Sequence, residues 1–218
     1  MVSLNKRFSS KPGQAKAAAK PAAKIVPFGD QCVELEISLR YIKPRIWRRF
    51  VVPEAIKLHR LHAVIQTVMG WTDTHLHSFR VGDREYVHRD AEDTEWDHTL
   101  ADITIHDERE HTLRDLVRAR GDKFTYTYDF GDSWDHDLKV KSITLSPKPM
   151  VSAVCVAGAR ACPPENCGGP YGYLELCEAL PDPRHPQHEH WKDWIEDYDP
   201  QAFDLDEINQ ALSRVSLA

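Results

Sequence analysis

The sequence predicts a single α+β domain in which helices pack on a largely antiparallel sheet. Three observations lead to this fold class: an alternating apolar pattern at residues 33–39, an aromatic strand pair between residues 123 and 145, and helical patterns concentrated toward the C-terminus. Early strands and late helices, without a repeated strand–helix–strand order, are typical of α+β proteins. A chain of 218 residues is long enough to bury one sizeable core.

The domain begins with two predicted strands and a helix. Apolar residues at every second position of 33–39 indicate a half-buried strand, and residues 46–52 form a second strand that ends at Pro53. From Leu58 the apolar spacing changes to that of a helix, which continues to Met69. Gly70 follows where a helix commonly ends in a left-handed residue.

The second half of the domain contains a predicted β-hairpin and several helices. Residues 75–88 are expected to be extended, and residues 123–130 and 134–145 to form two strands joined by a turn at residues 131–133. Phe124, Tyr126, Tyr128 and Phe130 share one face of the first hairpin strand. Helices are predicted at residues 112–120, 173–180, 188–195 and 205–215, the last with Asp204 as its N-cap.

Composition restricts the class of protein and its compartment. The net charge of −6 argues against a surface that binds nucleic acid or anionic membrane as a whole. No stretch has the roughly 18–20 apolar residues of a membrane span. No apolar core of a secretory signal is present either. Five cysteines without regular spacing do not predict a disulfide framework, so we expect a cytoplasmic protein.

The N-terminal segment differs in composition from the rest of the chain. Residues 1–24 carry six basic and no acidic side chains in an Ala-, Pro- and Ser-rich background. This composition predicts a disordered basic tail over residues 1–30 and a folded domain over residues 31–218. The tail is interpreted as a solubilising linker or as a weak electrostatic contact to DNA.

Two short patterns resemble landmarks of known enzymes without the parts that the chemistry requires. His88-Arg89-Asp90 and Asp129-Phe130-Gly131 resemble kinase motifs, but Glu95 stands where a metal-binding Asn is needed, and no glycine-rich phosphate loop precedes them. Residues 213–216 (SRVS) resemble the nucleophile motif of serine recombinases, which needs a folded catalytic domain after it. The sequence therefore argues against kinase and resolvase chemistry.

Three cysteines form a candidate zinc site. Cys155, Cys162 and Cys167 lie within thirteen residues, and a closed zinc site needs four nitrogen or sulfur donors. The candidate fourth ligand is His136, with His75 or His77 as alternatives. The spacing is looser than that of the two-residue zinc knuckle, so the cysteines could instead pack as small buried apolar residues.

Histidines and aspartates form a second candidate, a catalytic metal centre. His75 and His77 lie on one side of an extended segment, and Asp129, Asp132 and His136 add ligands around the hairpin. Such a set resembles a hydrolase metal site assembled from separate strands. The alternatives are aspartates that bond backbone N–H groups in a turn, and a hydrogen-bonded core position for His136.

Basic and aromatic residues alternate near the second strand. Arg45, Arg48 and Arg49 flank Trp47, a combination that suits phosphate contact and base stacking. The alternative is that Trp47 packs inward while the arginines pair with nearby carboxylates.

Five motifs in a fixed order resemble a known family. They are residues 42–49 (IKPRIWRR), 61–66 (LHAVIQ), 70–79 (GWTDTHLHSF), 126–136 (YTYDFGDSWDH) and 161–173 (ACPPENCGGPYGY). Together they resemble the Ri-plasmid ORF-3-like family, whose members also carry the label of TnpR-type insertion-element passenger proteins. The resemblance covers residues 31–212 and implies a bacterial or archaeal α+β protein. It supplies no catalytic residue that could be carried over, and fold alone does not assign function.

The sequence leaves three functional hypotheses. The leading expectation is a non-catalytic accessory protein of a mobile element that binds an unknown protein partner and carries a structural zinc ion at most. The first alternative is a metal-dependent hydrolase or nuclease that uses the histidine–aspartate set. The second is a nucleic-acid-binding module that uses the basic tail and the arginines at residues 45–49.

Overall fold

The computed structural model describes residues 30–89, 99–100, 102–195 and 197–217, so the expected basic tail lies outside the described residues except for its last residue. The elements follow in the order β1 (Gln31–Leu39), β2 (Trp47–Pro53), α1 (Leu58–Met69), β3 (His77–Val81), β4 (Arg84–Val87), β5 (Thr99–Leu100), β6 (Ile103–Asp107), α2 (Leu113–Leu116), β7 (Lys123–Tyr128), β8 (Trp134–Leu145), β9 (Val154–Ala159), α3 (Gly169–Ala179), α4 (His188–Trp194) and α5 (Leu205–Leu212).

One sheet contains all nine described strands, in the order β5-β6-β4-β3-β7-β8-β1-β2-β9. Every pairing is antiparallel except that of β4 with β6, which is parallel. The prediction of an α+β fold with a largely antiparallel sheet is therefore confirmed. No helix in the described ranges is long and apolar enough to cross a membrane.

The core forms where β1 and α1 bury their apolar positions. The inward positions of β1 and of α1 are almost completely inaccessible to solvent, as the alternation and the helical spacing predict: Val33, Leu35, Ile37, Leu39, Leu58, Leu61, Val64, Ile65 and Val68. Gly70 ends α1 in the left-handed conformation, with φ of 97°. Two polar residues, His62 and Gln66, are also buried on this helix.

The aromatic hairpin of β7 and β8 forms as predicted, with one correction. Tyr126 pairs with His136 across the two strands, and Tyr128 pairs with Trp134. These four side chains are fully or almost fully buried. Phe130, expected on the same strand face, lies beyond the end of β7 and is half exposed, because Asp129 takes a positive φ of 55° and turns the chain.

Several short elements differ from their predicted limits. The helix expected at residues 112–120 is one turn long, and its start is closed by a capping box between Thr112 and Asp115. The three late helices are present, and Asp204 caps α5 through the amides of Asp206 and Glu207. Strands β5, β6 and β9 were not expected from the sequence.

Candidate functional site

A histidine-lined pocket of about 290 Å³ opens beside α1 and the start of β3. Its walls carry imidazoles, two carboxylates, one guanidinium and one apolar side chain: His59, His62, Asp73, His75, Leu76, His77, His88, Glu108 and Arg109. None of these residues has a hydroxyl or thiol group. Nitrogen bases and carboxylates concentrated in one cavity are the composition that suits a metal ion or proton transfer.

Two of these residues, His62 and Asp73, form a ring of hydrogen bonds with the buried residues Gln66 and Tyr126, called the closed ring below. The Asp73 N–H donates to Oε1 of Gln66 at 2.9 Å, and Nε2 of Gln66 donates to the Tyr126 hydroxyl at 3.0 Å. The Tyr126 hydroxyl lies 2.8 Å from Nδ1 of His62, and Nε2 of His62 lies 2.7 Å from Oδ1 of Asp73. Since Tyr126 accepts from Gln66, it donates to Nδ1, which leaves the proton of His62 on Nε2.

His62 also stacks on His77. Their rings are 3.5 Å apart between centroids and inclined by only 4°. Nε2 of His77 bonds Oε2 of Glu108 at 2.8 Å, and Glu108 is 1% exposed. A carboxylate behind a histidine is the usual support of a metal ligand or a general base.

Burial sets the protonation of His62, and the contact with His77 sets that of Glu108. Burial, followed by the charge of His77, lowers the pKa of His62 to about 4 despite its contact with Asp73. His62 is therefore neutral at pH 7. Burial acts to raise the pKa of the Glu108 carboxyl, but the hydrogen bond and charge of His77, with His62 and His88 nearby, lower it below its ordinary value. The pocket thus holds the buried carboxylate anion of Glu108 and the neutral imidazole of His62.

Three ligand atoms, one each from His62, Asp73 and His77, lie within 4.8 Å of one another. Among the described residues, no other set of three histidine, cysteine, aspartate or glutamate side chains brings its ligand atoms this close together. We call these three residues the pocket centre. His62 comes from α1, Asp73 from the loop that follows it, and His77 from the start of β3. For both imidazoles to bind one ion, the parallel rings must turn out of their stack, because ring nitrogens bind metals in the ring plane.

The structure brings together only part of the predicted histidine–aspartate set. Nε2 of His75 lies 3.5 Å from Oδ2 of Asp129, and His75 and His77 line the same pocket. Asp132 points elsewhere and accepts from the Gly168 N–H. His136 is buried and donates from Nδ1 to the Tyr126 carbonyl, so these two residues do not join a common centre with the others.

The predicted zinc set does not form a close group of three ligand atoms in the described part of the chain. Cys155 and Cys167 are buried, and the Cys155 thiol donates to the Ala157 carbonyl at 3.6 Å. Burial raises the pKa of Cys167 to about 12 and also raises the pKa of Cys155 and Cys162. The thiols are therefore protonated at neutral pH, and a structural zinc site stays a prediction.

The predicted arginine cluster divides into one buried and two surface residues. Arg48 is 3% exposed and donates to the carbonyls of Val68, Trp47 and Ala159, so it lies too deep to contact nucleic acid. Arg45 and Arg49 both bond the Glu36 carboxylate. The surface pairing is the alternative that the sequence left open, and it neutralises much of the expected basic patch.

The segment of residues 161–173 packs closely on the hairpin turn. The Trp71 indole donates to the Pro163 carbonyl at 3.0 Å. A Cβ on Gly169 would lie 2.5 Å from the Asp132 carbonyl oxygen, and Gly169 has φ of 67°. Glycine is therefore required at this contact. The segment places Glu165 beside His75, with Oε2 3.8 Å from Nε2.

Four residues of the site were missed by sequence reasoning: His62, Asp73, Glu108 and Glu165. His62 and Gln66 carry a usable signal, since two polar residues one turn apart interrupt the apolar face of α1. Glu165 is the single charged residue in its Pro- and Gly-rich segment. Glu108 follows β6, a strand that was not predicted from the sequence. No pattern in the neighbouring residues therefore indicated that Glu108 would contact His77.

The fold and pocket define an α+β protein with one mixed, mostly antiparallel sheet. A crystal structure of a protein of unknown function, MM3350 from Methanosarcina mazei Go1, has this fold with a TM-score of 0.70 and 32% identity, over 82% of this chain and 98% of that one. The chain belongs to the plasmid pRiA4b ORF-3-like family, whose pattern matches residues 31–207. It is 40% identical over 183 residues to the uncharacterized protein y4hQ of Sinorhizobium fredii (strain NBRC 101917 / NGR234), covering 83% of this chain and 90% of y4hQ. The family resemblance of the five motifs is confirmed.

Proposed function

We propose that this protein is a metal-dependent hydrolase that binds a first-row divalent transition-metal ion at the pocket centre. The observation that carries the proposal is the approach of three ligand atoms, from His62, Asp73 and His77, to within 4.8 Å of one another at the wall of an open pocket. Two imidazoles and one carboxylate are a ligand set that suits zinc, cobalt or iron. Three protein ligands leave a further position for water or substrate.

The lining of the pocket favours hydrolysis over covalent catalysis. Because no wall residue carries a hydroxyl or thiol, the wall offers no serine- or cysteine-type nucleophile, and we assign that role to water bound by the ion. A bound divalent ion lowers the pKa of its water toward neutrality and polarises the substrate. Glu108 supports the reaction by holding the orientation of the His77 ring.

The pocket also limits the size of the substrate group that enters. A volume of about 290 Å³ lies at the lower end of small-molecule sites. Arg109 supplies a cation at the wall, which suits a substrate with a negative charge near the reacting bond. The proposal therefore develops the hydrolase alternative: it keeps His77 and replaces the expected ligands His75, Asp129, Asp132 and His136 by His62 and Asp73.

The test is cobalt binding by the full chain after chelator treatment, followed by visible absorption. One Co²⁺ per chain with the spectrum of a nitrogen–oxygen site is expected, together with metal-dependent cleavage of a chromogenic phosphate or carboxylate ester. Asp73→Asn should weaken Co²⁺ binding about tenfold or more and lower the cleavage rate. Asp73 is exposed, so this variant should fold.

The control is His190→Ala, which removes an exposed histidine of α4 outside the pocket and should change neither measurement. Full binding in Asp73→Asn would overturn the proposal. An intense near-ultraviolet thiolate band would also overturn it, and would assign the ion to the cysteines.

A further inference from the structure

A second group of polar side chains lies between the pocket and the segment of residues 161–173. It consists of His75, before β3, Asp129, after β7, and Glu165, between β9 and α3. Nε2 of His75 lies 3.5 Å from Oδ2 of Asp129 and 3.8 Å from Oε2 of Glu165. We call these three residues the open triad.

Each carboxylate of the open triad uses one oxygen for anchoring. Oε1 of Glu165 accepts from the Thr72 amide at 3.0 Å and from the Tyr128 hydroxyl at 2.9 Å. Oδ1 of Asp129 accepts from the amides of Gly131 and Asp132 at 2.9 and 3.2 Å. The backbone and Tyr128 thus hold both carboxylates in place without engaging their second oxygens.

Two of the remaining atoms of the triad lack hydrogen-bond partners. Nε2 of His75 and Oε2 of Glu165 are buried and form no hydrogen bond. Nε2 of His75 lies 3.5 Å from Oδ2 of Asp129 and 3.8 Å from Oε2 of Glu165, and both distances exceed the usual length of a hydrogen bond. Asp129 itself is 7% exposed. Buried polar atoms without partners are costly and need an explanation.

A bound cation supplies that explanation. Two ligand atoms that share an ion at about 2.1 Å from each can be up to about 4.2 Å apart. The distances of 3.5 and 3.8 Å from His75 fall within this limit. The three atoms are not all within 4.8 Å of one another, as those of the pocket centre are, so one carboxylate must move toward the ion.

We propose that His75, Asp129 and Glu165 form a second divalent-cation site, separate from the pocket centre. One imidazole with two carboxylates is a harder ligand set than that of the pocket centre, and it suits manganese. The anchored oxygens prepare both carboxylates in the way that outer hydrogen bonds prepare metal ligands. The site does not depend on hydrolase activity or on cobalt binding at the pocket centre.

The experiment is titration of the full, chelator-treated chain with Mn²⁺, with free ion measured by electron paramagnetic resonance. We expect one tightly bound Mn²⁺. Glu165→Gln keeps the anchoring oxygen and removes the charge, and should weaken Mn²⁺ binding about tenfold or more. Asp129→Asn should do the same, and His75→Gln provides a further variant if either of these fails to fold by circular dichroism.

Two controls separate this site from the pocket centre. Asp73→Asn should keep the Mn²⁺ and lose Co²⁺ affinity, whereas Glu165→Gln should do the reverse. Glu189→Gln changes an exposed carboxylate of α4 and should affect neither ion. Absence of bound Mn²⁺, unchanged binding in Glu165→Gln, or loss of Mn²⁺ only in Asp73→Asn would each overturn the second site.

Discussion

The closed ring and the open triad differ in whether their buried polar atoms have hydrogen-bond partners. In the closed ring each donor of His62, Gln66 and Tyr126 meets an acceptor of the next residue. In the open triad, buried atoms of His75 and Glu165 meet no partner. The comparison teaches that the first group is satisfied without a ligand. A metal ion at the pocket centre must therefore displace a hydrogen bond of His62, because both of its ring nitrogens are engaged. The second group is held in position by the fold at a cost that a ligand can offset.

Acid should cause the largest loss of stability, and this loss should fall on the closed ring. It protonates the buried His136, whose Nδ1 bonds the backbone carbonyl of the ring member Tyr126. Burial lowers the pKa of His136 to about 4, from an ordinary value of 6.5, so the unfolded chain takes up a proton first as the pH falls. The contribution of neutral His136 to the free energy of unfolding is fully present above pH 6.5 and is lost as the pH falls through 4, by about 3 kcal/mol in all. Urea unfolding between pH 7.5 and 4 measures this loss.

The matching variants are His136→Gln and His190→Ala. The first should make the pH dependence less steep, since one buried titrating group is gone while His62, whose pKa is also lowered to about 4, remains. The second should leave it unchanged because His190 is exposed. A pH dependence that is equally steep in His136→Gln would contradict the assignment.

Gly169→Ala should damage the open triad more than the closed ring. The added Cβ would lie 2.5 Å from the Asp132 carbonyl oxygen and force the segment that carries Glu165 away from the hairpin turn. We expect the free energy of unfolding to fall by about 2–3 kcal/mol more than the backbone strain alone would cause, together with weaker Mn²⁺ binding. Denaturant unfolding and the Mn²⁺ titration are the measurements.

Gly168→Ala is the matched control for this substitution. Gly168 also has a positive φ, of 85°, but its added Cβ would meet only the Gly172 Cα at 3.7 Å. Gly168→Ala therefore introduces the backbone strain of a positive φ but not the steric clash with Asp132. Equal losses in the two variants would show that the close packing on Asp132 is unimportant.

The smallest predicted effect comes from a pair of tyrosine variants that compares the two groups directly. Tyr126→Phe leaves the Gln66 amide and Nδ1 of His62 buried without their partner, at a cost of about 2 kcal/mol. Tyr128→Phe should cost about 1 kcal/mol, because Oε1 of Glu165 keeps its bonds from Thr72, and water can replace the hydroxyl as partner of the amide of Thr74, an exposed residue. Thermal or urea unfolding distinguishes these values, and a larger loss in Tyr128→Phe would reverse the comparison.

The sequence predicted those parts of the fold whose signals are local. The alternation in β1, the helical spacing of α1 and the aromatic pattern of β7 and β8 each repeat within a single element. Strand β9 is a short edge strand with a small-residue sequence, and β6 pairs in parallel with β4 across intervening chain. Both depend on tertiary partners that local periodicity does not report.

The candidate site was predicted in part for the same reason. His75, His77 and Asp129 stood out because polar residues cluster around the predicted strands. His62 lies on the apolar face of α1, where the sequence pattern predicts core packing. Glu165 lies in a segment whose cysteines and prolines gave the more prominent signal. Glu165 and Tyr128 are 37 positions apart, a contact that depends on how the segment packs against the hairpin.

The position of β1 has a consequence for how the chain folds. β1 is the first strand among the described residues, yet it lies inside the sheet between β2 and β8. Its partner on one side follows within a short hairpin, whereas on the other Gln31 pairs with Leu145. During synthesis this edge of β1 stays open until more than a hundred further residues have left the ribosome. Such distant pairing requires closure of a long loop and slows folding, so the nascent chain exposes this strand edge while more than a hundred residues are added.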